Sequence, residues 1–155
     1  MGRGAHVAHP GCMCMQPNFA FRLLGLSRPR PVRVLVVDDS PKVLAALLAV
    51  LSDHPDLLVV GFASSAEEAL AVGSRARPDV VLLDVRMPGM GGLAAVAHFK
   101  RQAWRPLVVL LSLQEDPALR REAHLAGADA FVAKTEVDGD QLIQLLDDLC
   151  APGVT

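Results

Sequence analysis

The sequence predicts an α/β domain: a doubly wound, mostly parallel sheet with helices on both faces. Three observations lead there. From Val32 onward, short Val/Leu runs alternate with helix-patterned stretches five times over. These runs are largely apolar at consecutive positions, as expected of strands covered on both faces. The chain is 52% hydrophobic but only 4% aromatic, so its core is Val, Leu and Ala, which suits helices packed on a parallel sheet.

VRVLVV at 32–37 is a β-branched run and the first strand. Ser40-Pro41 supplies an N-cap and a first-turn proline for a helix whose Leu44, Leu47, Leu48 and Leu51 share one face. LLVVGFA at 57–63 is the second strand. Ser64 and Ser65, with Glu67 and Glu68 three residues on, offer two overlapping capping boxes for a helix that ends before Pro78. DVVLLD at 79–84 is the third strand and runs into VRMPGMGG, a Pro/Gly loop, followed by a helix through LAAVAHFK. LVVLLS at 107–112 is the fourth. Asp116-Pro117 starts a helix that stops at Gly127, and AFVAK at 130–134 is the fifth strand. Asp138 with Gln141 caps a last helix carrying Leu142, Leu146 and Leu149 on one side. Strands each followed by a helix imply right-handed crossovers.

At 155 residues the chain is one domain in size. Residues 1–31 show no sustained period and read as an irregular, disordered extension; residues 32–150 form the domain and 151–155 a short tail. His6, His9, Cys12 and Cys14 match no closed zinc pattern, so that extension is not a metal site. A net charge of -2 without a basic run gives no general attraction to nucleic acid or to anionic membranes. The longest apolar stretch, VLAALLAVL at 43–51, is far short of the roughly 18 residues of a membrane span. Cys12, Cys14 and Cys150 form no disulfide framework, and Arg22 interrupts FAFRLLGL, the only early apolar patch. A reducing cytoplasm is the expected location.

In doubly wound sheets the ligand sits beyond the carboxyl ends of the strands. Those ends carry Asp38, Asp39, Asp84, Ser112 and Lys134. Three converging carboxylates raise one another's proton affinity unless positive charge is supplied, and all-oxygen ligation selects a hard cation such as Mg²⁺. With a cation on one side and an ammonium and a hydroxyl on the other, the set suits a transferring phosphoryl group, with Asp84 as nucleophile.

VLVVDDS at 34–40, LLDVRMPGMGG at 82–92, LLS at 110–112 and FVAK at 131–134 together resemble the receiver domain of two-component response regulators, over residues 32–150. The resemblance implies the flavodoxin-like, CheY-like strand order 2-1-3-4-5. It implies that Asp84 accepts a phosphoryl group from a sensor histidine kinase or histidine phosphotransfer protein. Mg²⁺ would be ligated by Asp39, Asp84 and the backbone carbonyl of Arg86, with Asp38 acting largely through a water. Lys134 would pair with the phosphoryl group, Ser112 would move toward it, and Phe131 would be the switch aromatic. Arg86 and Gln114 occupy positions that tune loss of the phosphoryl group, and the bulk of Leu113 is expected to narrow access to Asp84. Thr135 stands where many relatives have proline, and Gly91 where an acidic residue is frequent.

The functional expectation is therefore a stand-alone response regulator, with no catalysis beyond phosphorylating and dephosphorylating itself. Its output would be contact with another protein or onward phosphotransfer, with a homodimer through the last helices and strand as an option. The alternative is a receiver-like binding module that works without phosphorylation. A phosphatase of the aspartate-nucleophile type is disfavoured, because Arg86 stands where its second Asp is needed. His54, His98 and His124 are expected as surface histidines without partners, and Trp104 as packing.

Overall fold

The computed structural model of the protein describes residues 30–134 and 138–150. The expectations for residues 1–29, for Thr135 and for the tail 151–155 lie outside the described residues. Five strands, β1 (Val32–Val37), β2 (Leu57–Ala63), β3 (Val80–Asp84), β4 (Leu107–Ser112) and β5 (Ala130–Ala133), alternate with five helices. The helices are α1 (Pro41–Ser52), α2 (Ala66–Ala76), α3 (Gly92–Lys100), α4 (Pro117–Ala126) and α5 (Gly139–Leu149). The strands form one parallel sheet in the order β2-β1-β3-β4-β5. This is the predicted doubly wound fold.

The sheet separates two apolar layers. Leu35, Val37, Val81, Leu83, Val108 and Leu110 point toward α2, α3 and α4, where Ala69, Phe99 and Ala123 meet them. Val34, Val36, Leu82, Val109 and Leu111 face α1 and α5, through Leu51, Leu142 and Leu146. Successive residues of β1, β3 and β4 thus enter opposite layers, which is why those runs are apolar throughout. Trp104 packs edge-on to Phe99, with ring centroids 6.2 Å apart.

Local chemistry starts and stops the helices as read, with one exception. Ser40 Oγ accepts from the Val43 N–H, Asp116 Oδ1 from those of Ala118 and Leu119, and Asp138 Oδ1 from that of Gln141. Gly127 ends α4 at φ 105°. At α2 only one serine caps: Ser65 Oγ accepts from the Glu68 N–H, while the Glu68 carboxylate takes the N–H of Ser64 at 2.7 Å. The second predicted box does not form, because Glu67 accepts instead from the N–H of Met90 in the loop after β3. A separate departure concerns the burial of β2. It is an edge strand whose register slips between Val34 and Leu35, and Leu58 and Phe62 remain exposed there. His98 also departs from expectation, since its Nδ1 lies 3.2 Å from the Arg101 guanidinium.

The turn from β3 into α3 is tightest at Gly92. A Cβ there would lie 2.5 Å from the carbonyl oxygen of Asp84 and 2.8 Å from Val85 Cα. Both obstacles are backbone, so no rotamer change relieves them. Gly92→Ala is expected to cost about 2 kcal/mol, read as a lower urea midpoint with an unchanged m-value. A midpoint equal to that of the parent would contradict the close approach.

Candidate functional site

The site lies at the carboxyl ends of β1, β3, β4 and β5. Asp38 follows β1 directly, held by its own N–H to the Ala63 carbonyl at 3.1 Å. Asp84 is the last residue of β3. Both are buried, at 1% and 5% exposure, whereas Asp39 is exposed. One carboxylate oxygen from each of the three lies within 4.8 Å of the others. Lys134, just past β5, reaches in from the far side: its Nζ donates to Asp38 Oδ2 at 2.6 Å and lies 3.1 Å from Asp84 Oδ1. Its backbone N–H donates to the Ser112 carbonyl at 2.6 Å, which ties the end of β5 to the end of β4.

The two buried acids have different duties. Asp38 spends both oxygens on the protein, Oδ1 accepting from the Ser40 N–H and Oδ2 from Lys134. Asp84 accepts a longer bond from the Arg86 N–H at 3.3 Å. Burial, followed by the neighbouring charge of Asp38, holds the Asp84 carboxyl above the ordinary value of 3.8, and Lys134 offsets only part of this. For Lys134, burial alone would lower the ammonium's pKa. The bond to Asp38 and the charge of Asp84 outweigh it, so the pKa is raised above 10.5.

Four of the residues singled out from sequence, Asp38, Asp39, Asp84 and Lys134, thus meet in space. Ser112 stands beside them, one step past the Leu111 that faces Asp84 across the sheet; its Oγ accepts from the Gln114 N–H at 3.2 Å. Phe131 is buried in β5, with the Arg120 guanidinium 4.9 Å above its ring. Leu113 is 62% exposed and borders an apolar groove of about 350 Å³ between α1 and α5, with Val43, Leu47, Val50, Leu142 and Lys134.

Sequence reasoning missed two residues. Arg120 also donates to the Phe131 carbonyl at 3.2 Å and pairs with Glu115 at 2.6 Å. Glu67 braces the loop that leaves Asp84. The Glu115/Arg120 charge pair flanking the start of α4 was the available signal for the first; the second had none beyond a capping motif that fits equally well.

A family model for the response regulator receiver domain matches residues 34–147. The chain belongs to the response regulator receiver family. It is 31% identical over 126 residues to a transcriptional regulatory protein, MctR, of Rhizobium johnstonii, covering 81% of this chain and 58% of that protein. It is 41% identical over 129 residues to a protein-glutamate methylesterase/protein-glutamine glutaminase of Cereibacter sphaeroides, covering 81% of this chain and 35% of that one. The chain therefore spans between about a third and about three fifths of the length of these relatives. Among solved structures, the receiver domain of NarL from Mycobacterium tuberculosis superposes with a TM-score of 0.75 at 33% identity, over 79% of this chain and 98% of that one. The response regulator domain of CheB from Thermotoga maritima gives 0.68 at 31% identity, over 78% and 94%.

Receiver domains hold Mg²⁺ in an acidic pocket, and the donor set of this receiver fits one. Its clustered ligand atoms are carboxylate oxygens, hard donors that suit a small divalent cation. Among the described residues no helix is long and apolar enough to cross a membrane.

Two stability measurements probe this balance of charge. A raised carboxylate pKa contributes stability that is fully present below the unfolded value of 3.8 and lost as pH rises through the folded value. In EDTA at neutral pH, Asp84→Asn is therefore expected to melt above the parent protein, with the gap narrowing as the buffer is acidified; a lower melting temperature would contradict the assignment. Lys134→Met leaves two buried carboxylates without their ammonium and is expected to lose about 3 kcal/mol at neutral pH, measured by urea unfolding.

Proposed function

We propose that this receiver accepts a phosphoryl group on Asp84 from a histidine kinase or a histidine phosphotransfer protein, with Mg²⁺. In this reading it signals by phosphorylation-dependent contact with another protein or by onward phosphotransfer. The observation that carries the reading is the position of Asp84 Oδ1, 3.1 Å from the Lys134 ammonium and within a cluster of three carboxylates.

In this reading an Asp84 oxygen attacks the phosphorus of a phosphohistidine. The O–P bond forms as the N–P bond breaks, and the departing imidazole takes up a proton. Asp39, Asp84 and the Arg86 carbonyl would hold Mg²⁺, with Asp38 acting through a water, and the ion would supply positive charge to the attacking carboxylate and the transferring oxygens. Asp38 suits the indirect role because both its oxygens already accept from the protein, while Asp39 is exposed. Lys134 exchanges the Asp84 oxygen for a phosphoryl oxygen. Ser112 Oγ accepts from the Gln114 N–H, which leaves its own O–H proton to donate to the phosphoryl group.

Movement of Ser112 would then reach Phe131, the switch aromatic, whose ring packs under Arg120. Arg86 and Gln114 tune the loss of the phosphoryl group to water, and Leu113 governs access from the α1–α5 side. The expected setting is the cytoplasm, with the kinase and one downstream protein as partners, no direct contact with nucleic acid, and, as an option, a homodimer through β5 and the last helices. The methylesterase and transcriptional outputs named for the relatives belong to those proteins.

Incubation with acetyl phosphate and Mg²⁺, followed by prompt intact-mass measurement at mild pH, is expected to give a single phosphoryl adduct. EDTA and Asp84→Asn should each abolish it. A parent protein that stays unmodified with a phosphorylated histidine phosphotransfer protein as donor, or an adduct that survives Asp84→Asn, would overturn the reading.

A further inference from the structure

We propose that the amino-terminal pole of the sheet is a docking site for a short acidic segment of a protein partner, gripped by Arg77 and Arg105. Three neighbouring strands, β1, β3 and β4, are each preceded by an Arg-Pro dipeptide: Arg30-Pro31, Arg77-Pro78 and Arg105-Pro106. The Leu107 N–H donates to the Asp79 carbonyl at 2.9 Å, so Arg77 and Arg105 each stand two residues upstream of a bonded pair, at the entries to two neighbouring strands.

Both arginines adopt left-handed backbone, at φ 48° and 40°, and they are the only non-glycine residues with positive φ among the described residues. Arg77 caps the carboxyl end of α2, a place that glycine or asparagine fills without strain. Two strained arginines side by side indicate that these positions are held for their guanidinium groups rather than for the backbone. Arg75 and Arg101 extend the same pole at the ends of α2 and α3, where the helix dipoles favour cations. Arg105 lies in a loop, outside either helix, so the dipole does not account for it.

Among the described residues, Arg30 pairs with Asp79 at 3.1 Å, but no acidic side chain pairs with Arg75, Arg77, Arg101 or Arg105, all of them exposed. The segment ahead of β1 cannot supply the missing anion, because residues 1–31 contain Arg3, Arg22, Arg28 and Arg30 and no Asp or Glu.

The anion is best matched by a short acidic peptide. Guanidinium forks fit carboxylates two-pronged, and alternate side chains of an extended peptide lie about 6.8 Å apart, a spacing that suits two long side chains at the entries to neighbouring strands. A long polyanion or an anionic membrane would also meet the rest of a chain whose net charge is -2 and whose opposite rim carries the aspartate cluster. The pole is at the far end of the strands from Asp84, so this docking does not rest on phosphorylation.

The test is fluorescence anisotropy of the full chain with a fluorescein-labelled Asp/Glu octapeptide at low ionic strength. Arg77→Gly/Arg105→Gly is expected to bind about tenfold more weakly while melting no lower than the parent protein, since glycine relieves the backbone. Arg121→Gln, an exposed arginine of α4, should bind within about twofold of the parent. Absence of binding by the parent protein, a double variant that binds as the parent does, or tighter binding to single-stranded DNA or to anionic vesicles would overturn the proposal. A double variant that melts lower than the parent would overturn the strain argument.

Discussion

The structure depends on one ammonium group. Lys134 stands between two buried carboxylates that are themselves neighbours of a third, and without it the carboxyl rim of the sheet would concentrate negative charge where water is scarce. The compensation is incomplete: Asp84 still lies above its ordinary proton affinity after the lysine's contribution. A site left short of positive charge favours any ligand that brings more. That makes the same residual repulsion both a cost to the ligand-free fold and a source of affinity for a cation.

The sheet makes this arrangement possible. Parallel strands all end on one side, so residues far apart in sequence reach one rim without any loop having to fold back. β3, buried on both faces, sets Asp84 at a fixed depth, and the turn that follows is anchored where it enters the next helix. Gly92 lets that helix start against the Asp84 carbonyl, and two residues earlier Glu67 holds the Met90 N–H from a different helix. The loop carrying Arg86 is thus positioned by packing before any ligand arrives, which lowers the ordering cost of binding.

Most of the fold and the heart of the site were legible in the sequence because they rest on strong, local signals. Consecutive apolar residues identify central strands, Ser40-Pro41, Asp116-Pro117 and Asp138 identify helix starts, and charged residues just past apolar runs identify the rim. Those signals failed where tertiary context decided. Glu67 satisfies a capping motif on paper, yet it answers an orphan N–H that becomes its neighbour only after folding. Arg120 reads as an ordinary helical cation until β5 brings Phe131 beneath it. β2 has the composition of a buried strand, but its place at the sheet edge leaves Leu58 and Phe62 exposed. Edge or centre is a property of strand order, which composition alone does not encode.

The ion pair between Lys134 and Asp38 joins residues 96 positions apart. Contacts that distant form late, because the intervening loop must lose its freedom first. During synthesis β1 also waits for β3, since Val34 lies opposite Val80. A nascent chain that has not yet emerged past β5 holds the aspartates without their lysine, so the buried carboxylates stay uncompensated until that strand is in place. A half-made molecule on the ribosome therefore lacks the assembled acidic rim with its counter-charge.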